Sequence, residues 1–136
     1  MDGLHDLRWF AIIAFIQLPT VMYGGYSLLS MLNRREEMSP FQLANFRAGH
    51  AHAGVLTLMA LLYYVFLSQT DLSMTGKVIA ASSVLAGSLM QSLGFFVHMA
   101  VGKPGERSVG TTITTVGAVL LAGASLFLSY ALITMW

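Results

Sequence analysis

Four long apolar stretches dominate this sequence and constrain its fold more than any other feature. A helix needs roughly 20 mostly apolar residues to cross the hydrocarbon core of a bilayer, and each stretch meets that length. Short polar segments separate them. The sequence therefore predicts an all-α integral membrane protein with one domain over residues 1–136. Its four helices are expected at about 9–32, 40–68, 77–101 and 111–136.

The composition favours lipid as the main solvent. Hydrophobic residues make up 56% of the chain and charged residues only 10%, whereas soluble domains carry about 25% charged residues. A net charge of +1 provides no basic surface for nucleic acid. The chain has no cysteine, which excludes disulfides and thiolate metal sites.

The short connections predict antiparallel neighbours and an up-down-up-down bundle. Small residues four apart, such as Ser83 and Gly87, predict close packing between helices, and such a bundle is also a candidate subunit of a homo-oligomer. Positive charge is greater at one end of the bundle than at the other. By the positive-inside rule this places both termini outside, and the expected location is the bacterial cytoplasmic membrane. The richer end holds Arg34, Arg35, Arg47, Lys103 and Arg107, and the other end Arg8 and Lys77.

Titratable side chains concentrate near the start of the second helix, in the stretch FRAGHAHAGVLTL. It places Arg47, His50 and His52 at the entry of a membrane span. Ionisable groups at that depth are costly and usually face a protein interior or a ligand. Residues 50 and 52 point about 200° apart on a helix. One histidine is therefore a candidate ligand and the other packs between helices or meets headgroups, and the residues alone leave the choice open.

A third histidine, His98, lies near the end of the third helix. Antiparallel packing predicts that it sits on the same side of the membrane as His52, at similar depth. It is a candidate second ligand, or else its side chain extends to the headgroups.

These residue types favour haem over zinc. Zinc takes three or four protein ligands, whereas haem needs one or two axial imidazoles and an apolar slot. Small residues let a flat ring approach the helix, and Arg47 is placed to meet propionates. A small apolar ligand is a further expected partner. The candidate cofactor-binding residues are His52, His50, Arg47, Gly54, Met59, Phe96 and His98.

Two short motifs resemble styrene oxide isomerase, a family of small four-helix membrane proteins that assemble as trimers and bind haem b. They are the RA…H.G pattern of the second helix and the GFF segment near the end of the third. The resemblance implies that His52, followed by Ala53 and Gly54, is the axial ligand to haem iron. His98 matches no position of that family and is a separate candidate for the sixth position of the iron. It also implies that ferric iron acts as a Lewis acid on an epoxide, which rearranges to an aldehyde.

The chain departs from that family at three polar positions. Where the family has an asparagine, this chain has Leu58, and where the family has a tyrosine, it has Phe96. At a position that is polar and acidic in the family, it has Ser88. Three functional hypotheses therefore stand together. They are an epoxide isomerase acting on a small apolar substrate, a non-enzymatic haem protein for electron transfer or for haem or gas sensing, and a cofactor-free membrane subunit or small transporter.

Overall fold

The computed structural model describes residues 2–34 and 38–134, with side chains from residue 7 onward. Within these ranges every regular element is a helix, and all four helices are long and apolar enough to cross a membrane. This confirms the expected all-helical class. Arg35 and the predicted end of the fourth helix at residue 136 lie outside the described residues. The helices are α1 (Asp2–Asn33), α2 (Pro40–Ser68), α3 (Met74–Val101) and α4 (Val109–Thr134).

The start of α2 is fixed by a reciprocal cap. The Gln42 backbone N–H donates to Ser39 Oγ at 3.2 Å, and the Ser39 N–H donates to Gln42 Oε1 at 3.0 Å. Pro40 follows the cap, where a missing backbone N–H costs nothing. The bounds of α2 coincide with those expected from the sequence, and this fixes the register of the histidine-bearing segment.

The other three helices begin before the residues expected from hydropathy, and α4 starts at Val109 instead of residue 111. In α3 the Ser73 hydroxyl caps the helix by accepting the Gly76 N–H at 3.2 Å, so the helix starts at Met74. In α1 the helix continues back to Asp2. Hydropathy marks the apolar part of a helix, whereas its first residue is set by capping.

Glycines bring α3 and α4 into close contact. A Cβ built on Gly94 would stand 2.7 Å from the Gly110 carbonyl oxygen, and one on Gly87 would stand 3.0 Å from that of Gly117. Both distances are shorter than nearly all contacts that real Cβ atoms make, so these positions bring the two backbones together as small residues do in membrane helix pairs. The pair forms the tight side of the bundle.

The helix α1 is held more loosely than the others. Only 6% of its candidate span is buried, against 33% for α2 and 28% for each of α3 and α4. Its best-covered side chains, Leu7 and Ala14, join the core near the second half of α2. There the Tyr63 hydroxyl also donates to the Ala124 carbonyl of α4 at 2.8 Å. Beyond this core the middle of α1 leaves space against α2 and α3.

Candidate functional site

His50 faces α1 and is enclosed by an aromatic ring and a glycine pair. The Phe46 ring stacks beside the imidazole at 6.4 Å between centroids. A Cβ at Gly24 would stand 3.3 Å from His50 Nδ1, and one at Gly25 would stand 3.2 Å from Nε2. The glycines therefore let α1 approach the imidazole edge closely. Both ring nitrogens therefore lie close to the α1 backbone.

His52 points to the other side of α2, as the helical spacing requires. Its Nδ1 lies 2.8 Å from the Ala48 carbonyl oxygen one turn earlier. Because a carbonyl can only accept, Nδ1 carries the proton and Nε2 of the neutral ring keeps its lone pair. The Phe95 ring flanks the imidazole at 4.9 Å. This is the arrangement that metal-ligating histidines adopt, with the second nitrogen fixed by a backbone carbonyl.

His98 belongs to the junction between α3 and α4. Its Nδ1 lies 2.8 Å from Ser108 Oγ, and its ring meets that of Phe41 edge-on at 5.0 Å. Ser108 Oγ also accepts the Gly110 N–H at the start of α4. His98 thus packs beside the first turn of α2, whereas His52 packs beside Phe95. The structure does not bring these two candidate ligands together.

The remaining candidates divide between the two faces of α2. Phe96 meets Phe46 edge-on at 5.5 Å, and Gly54 faces Val21 of α1, so both lie on the side of His50. Met59 is 47% exposed on the outer surface, and Arg47 is exposed near the start of α2. The seven residues do not form one cluster.

A cavity of about 400 Å³ lies between α1, α2 and α3 on the His50 side. His52 does not line it. We grouped Phe96 with His52 as haem-binding residues and did not predict this cavity. The sequence feature that could have indicated the cavity is a set of small and hydroxyl-bearing residues, which three apolar helices carry at a similar depth. The cavity walls include Gln17, Gly24, His50, Thr57, Ser88 and Phe96.

Among the described residues, no group of three or more His, Asp or Glu side chains is arranged to hold a metal ion. Haem asks for a different donor set, one or two imidazoles. No protein-family model, curated protein or solved structure matches this chain.

Proposed function

We propose that this chain is an integral membrane protein whose helices cross the bilayer in up-down-up-down order. The contacts of α3 with α4 support this order, because Gly87 meets Leu121 while the later Gly94 meets the earlier Gly110. The exposed Arg34 and Arg107 favour a cytoplasmic location for the first and third connections. Both termini then lie outside, in the bacterial cytoplasmic membrane.

We further propose that the outer face of α2 binds haem b through His52 Nε2. The observation that carries this proposal is the hydrogen bond from Nδ1 to the Ala48 carbonyl at 2.8 Å. It orients the ring, fixes the tautomer and leaves the other nitrogen free to coordinate. His50 lacks both features, because its nitrogens face the α1 backbone.

The residues around His52 are of the kinds that a haem face needs. Val55, Leu58 and Met59 are 60%, 59% and 47% exposed and offer a flat apolar surface on the following turns. Arg47, little more than one turn before His52, offers a cation for a propionate. A neighbouring subunit would cover this surface, which supports a homo-oligomer, a trimer by resemblance to the isomerase family.

When bound, ferric haem supplies a Lewis acid that polarises an oxygen ligand. The chain itself would contribute one imidazole to the iron, because His98 packs beside Phe41 and Ser108 and not beside His52. Bound haem would supply this Lewis acid to a small apolar substrate from the bilayer, such as an epoxide, whose isomerisation gives a carbonyl compound of the same composition. Leu58 and Phe96 bring no polar group to that reaction. Their apolar character favours a non-enzymatic haem protein for electron transfer or sensing as the second candidate.

The test is the absorption spectrum of the detergent-purified protein, expressed with adequate haem supply, across the Soret region. We expect a haem band in the wild type and in His50→Ala, and its loss in His52→Ala. A band that survives in His52→Ala but disappears in His50→Ala would show that His50, on the opposite face of α2, is the haem ligand, and would contradict the proposal. A colourless wild-type protein would exclude both haem proposals, and the cofactor-free subunit or small transporter would be the remaining hypothesis.

A second measurement separates the two haem functions. With styrene oxide as substrate, an isomerase yields an aldehyde of the same composition, and His52→Ala abolishes the conversion. A protein that keeps its Soret band, shows a low-spin spectrum indifferent to added oxygen ligands and yields no aldehyde is the non-enzymatic alternative.

A further inference from the structure

Ser88 of α3 carries a buried hydroxyl that differs from those of its neighbours. It is 5% exposed, and its Oγ has no hydrogen-bond partner among the described residues. In contrast, Ser83 Oγ donates to the Ile79 carbonyl at 2.9 Å and Ser92 Oγ to the Ser88 carbonyl at 2.8 Å. A buried polar group without a partner is unfavourable, and such groups are rare in folded proteins. The unpaired hydroxyl therefore points to a missing partner.

Ser88 is one of the residues that line the cavity beside His50. A volume of about 400 Å³ lies in the range of about 300–1,000 Å³ that small-molecule sites occupy. The wall combines apolar side chains, such as Phe46 and Leu93, with neutral polar ones. An apolar wall with a few polar groups is the usual character of a small-molecule site.

Two other polar groups in the wall already face neighbours within the protein. The Thr57 hydroxyl already donates to the Ala53 carbonyl at 2.7 Å, and the His50 nitrogens face Gly24 and Gly25. Among the buried hydroxyls of the wall, which belong to Thr57, Ser88 and Ser92, that of Ser88 is the one without a partner in the described part of the chain. A charged ligand would lose its hydration here without gaining a counter-charge.

We propose that this cavity is a second binding site, for a neutral apolar molecule with one acceptor oxygen, such as a ketone or an ether. Its oxygen accepts a hydrogen bond from Ser88 Oγ, and its hydrocarbon part packs against Phe46 and Phe96. The site lies on the opposite side of α2 from His52. It therefore does not depend on the haem proposal.

Photolabelling with benzophenone tests this site, since that ketone carries one acceptor oxygen and reacts with C–H groups nearby. The full chain is labelled in nanodiscs of dioleoyl phosphatidylcholine, and labelled peptides are mapped by mass spectrometry. We expect saturable labelling of cavity-lining segments of α2 and α3. Diphenylmethane, which has the same two rings without the oxygen, should compete more weakly than unlabelled benzophenone analogues. The readout needs no haem, so its failure is separate from failure at His52.

Matched serine variants isolate the hydrogen bond. Ser88→Ala should weaken benzophenone binding about fivefold, the value of one ordinary hydrogen bond, without lowering the melting temperature. Ser83→Ala, whose hydroxyl bonds within its own helix, should bind as the wild type does. A second variant, Ala53→Leu, narrows the cavity and should abolish its labelling.

Three results would overturn the proposal. One is equal binding by Ser88→Ala and wild type. Another is equal competition by diphenylmethane and the ketone, which would identify a groove that any lipid chain fills. The third is unchanged labelling in Ala53→Leu, which would place the label elsewhere.

Discussion

The two faces of α2 carry the same residue type two positions apart, yet they surround it differently. On one face His50 is covered by Phe46 and by the backbone of α1 at Gly24 and Gly25. On the other face His52 is tied by Nδ1 to its own helix and flanked by Phe95. The first ring packs between α2 and α1, whereas Nε2 of the second has no hydrogen-bond partner among the described residues.

This difference shows that the hydrogen-bond partner of a histidine's Nδ1 distinguishes a candidate ligand from a packing residue better than membrane depth or residue type does. Both histidines are half-buried, so burial does not distinguish them. In the haem proposal, the carbonyl that fixes Nδ1 of His52 would prepare Nε2 for coordination. The glycine pair lets the α1 backbone approach both ring nitrogens of His50, and this imidazole forms part of the cavity wall.

On the His50 face, we expect the largest loss of stability from Phe46→Ala. Phe46 is 9% exposed and contacts both His50 and Phe96, so truncation leaves a void. The free energy of unfolding, measured in mixed detergent micelles, should fall by about 3 kcal/mol. The matched control is Phe66→Ala, because Phe66 is exposed on the same helix and should change little. Equal losses in both variants would contradict the enclosed character of the His50 face.

We expect a smaller loss of stability when a bulky side chain is introduced where Gly25 of α1 packs against His50. Gly25→Leu places a side chain where even a Cβ would stand 3.2 Å from His50 Nε2. We expect a loss of about 1–3 kcal/mol in the free energy of unfolding and an altered cavity. Ala51→Leu, at an exposed position of α2, should stay within about 0.5 kcal/mol of the wild type. A stable Gly25→Leu protein with unchanged cavity labelling would show that α1 does not rest on His50.

We expect the smallest loss of stability from a change beside the third histidine, His98. This change also tests whether His98, like His52, affects the haem. Ser108→Ala removes the partner of His98 and the side-chain acceptor of the Gly110 N–H. The free energy of unfolding should fall by about 1 kcal/mol, while the Soret spectrum stays unchanged. Ser129→Ala, an exposed serine bonded within α4, serves as the control. A shift of the haem spectrum in Ser108→Ala would instead support His98 as an iron ligand.

Much of the scaffold is predictable because it follows from local chemistry. Four apolar stretches define four helices, and Ser39 with Pro40 marks the start of α2 by a cap that involves neighbouring residues only. The start of α3 is harder to predict, since Ser73 lies in a polar loop that offers other caps. The division of His50 and His52 between two faces also follows from helical geometry.

The assignment of each face is not predictable, because it depends on where another helix docks. Gly24 and Gly25 allow α1 to approach His50, but the sequence does not say which helix a glycine pair will meet. The similar depth expected for His98 and His52 fails to make them neighbours, because His98 turns toward Phe41 and Ser108. The unpaired hydroxyl of Ser88 is visible only once the packing of three helices is known.

Chemical rescue tests the role of His52 most directly. In His52→Gly the imidazole is removed and a space of its own shape is left, so free imidazole can replace it at the iron. We predict that the variant purifies without a Soret band and regains it when haem and imidazole are added together. His50→Gly should need no imidazole. A Soret band in His52→Gly without imidazole, equal to that of the wild type, would contradict coordination by His52.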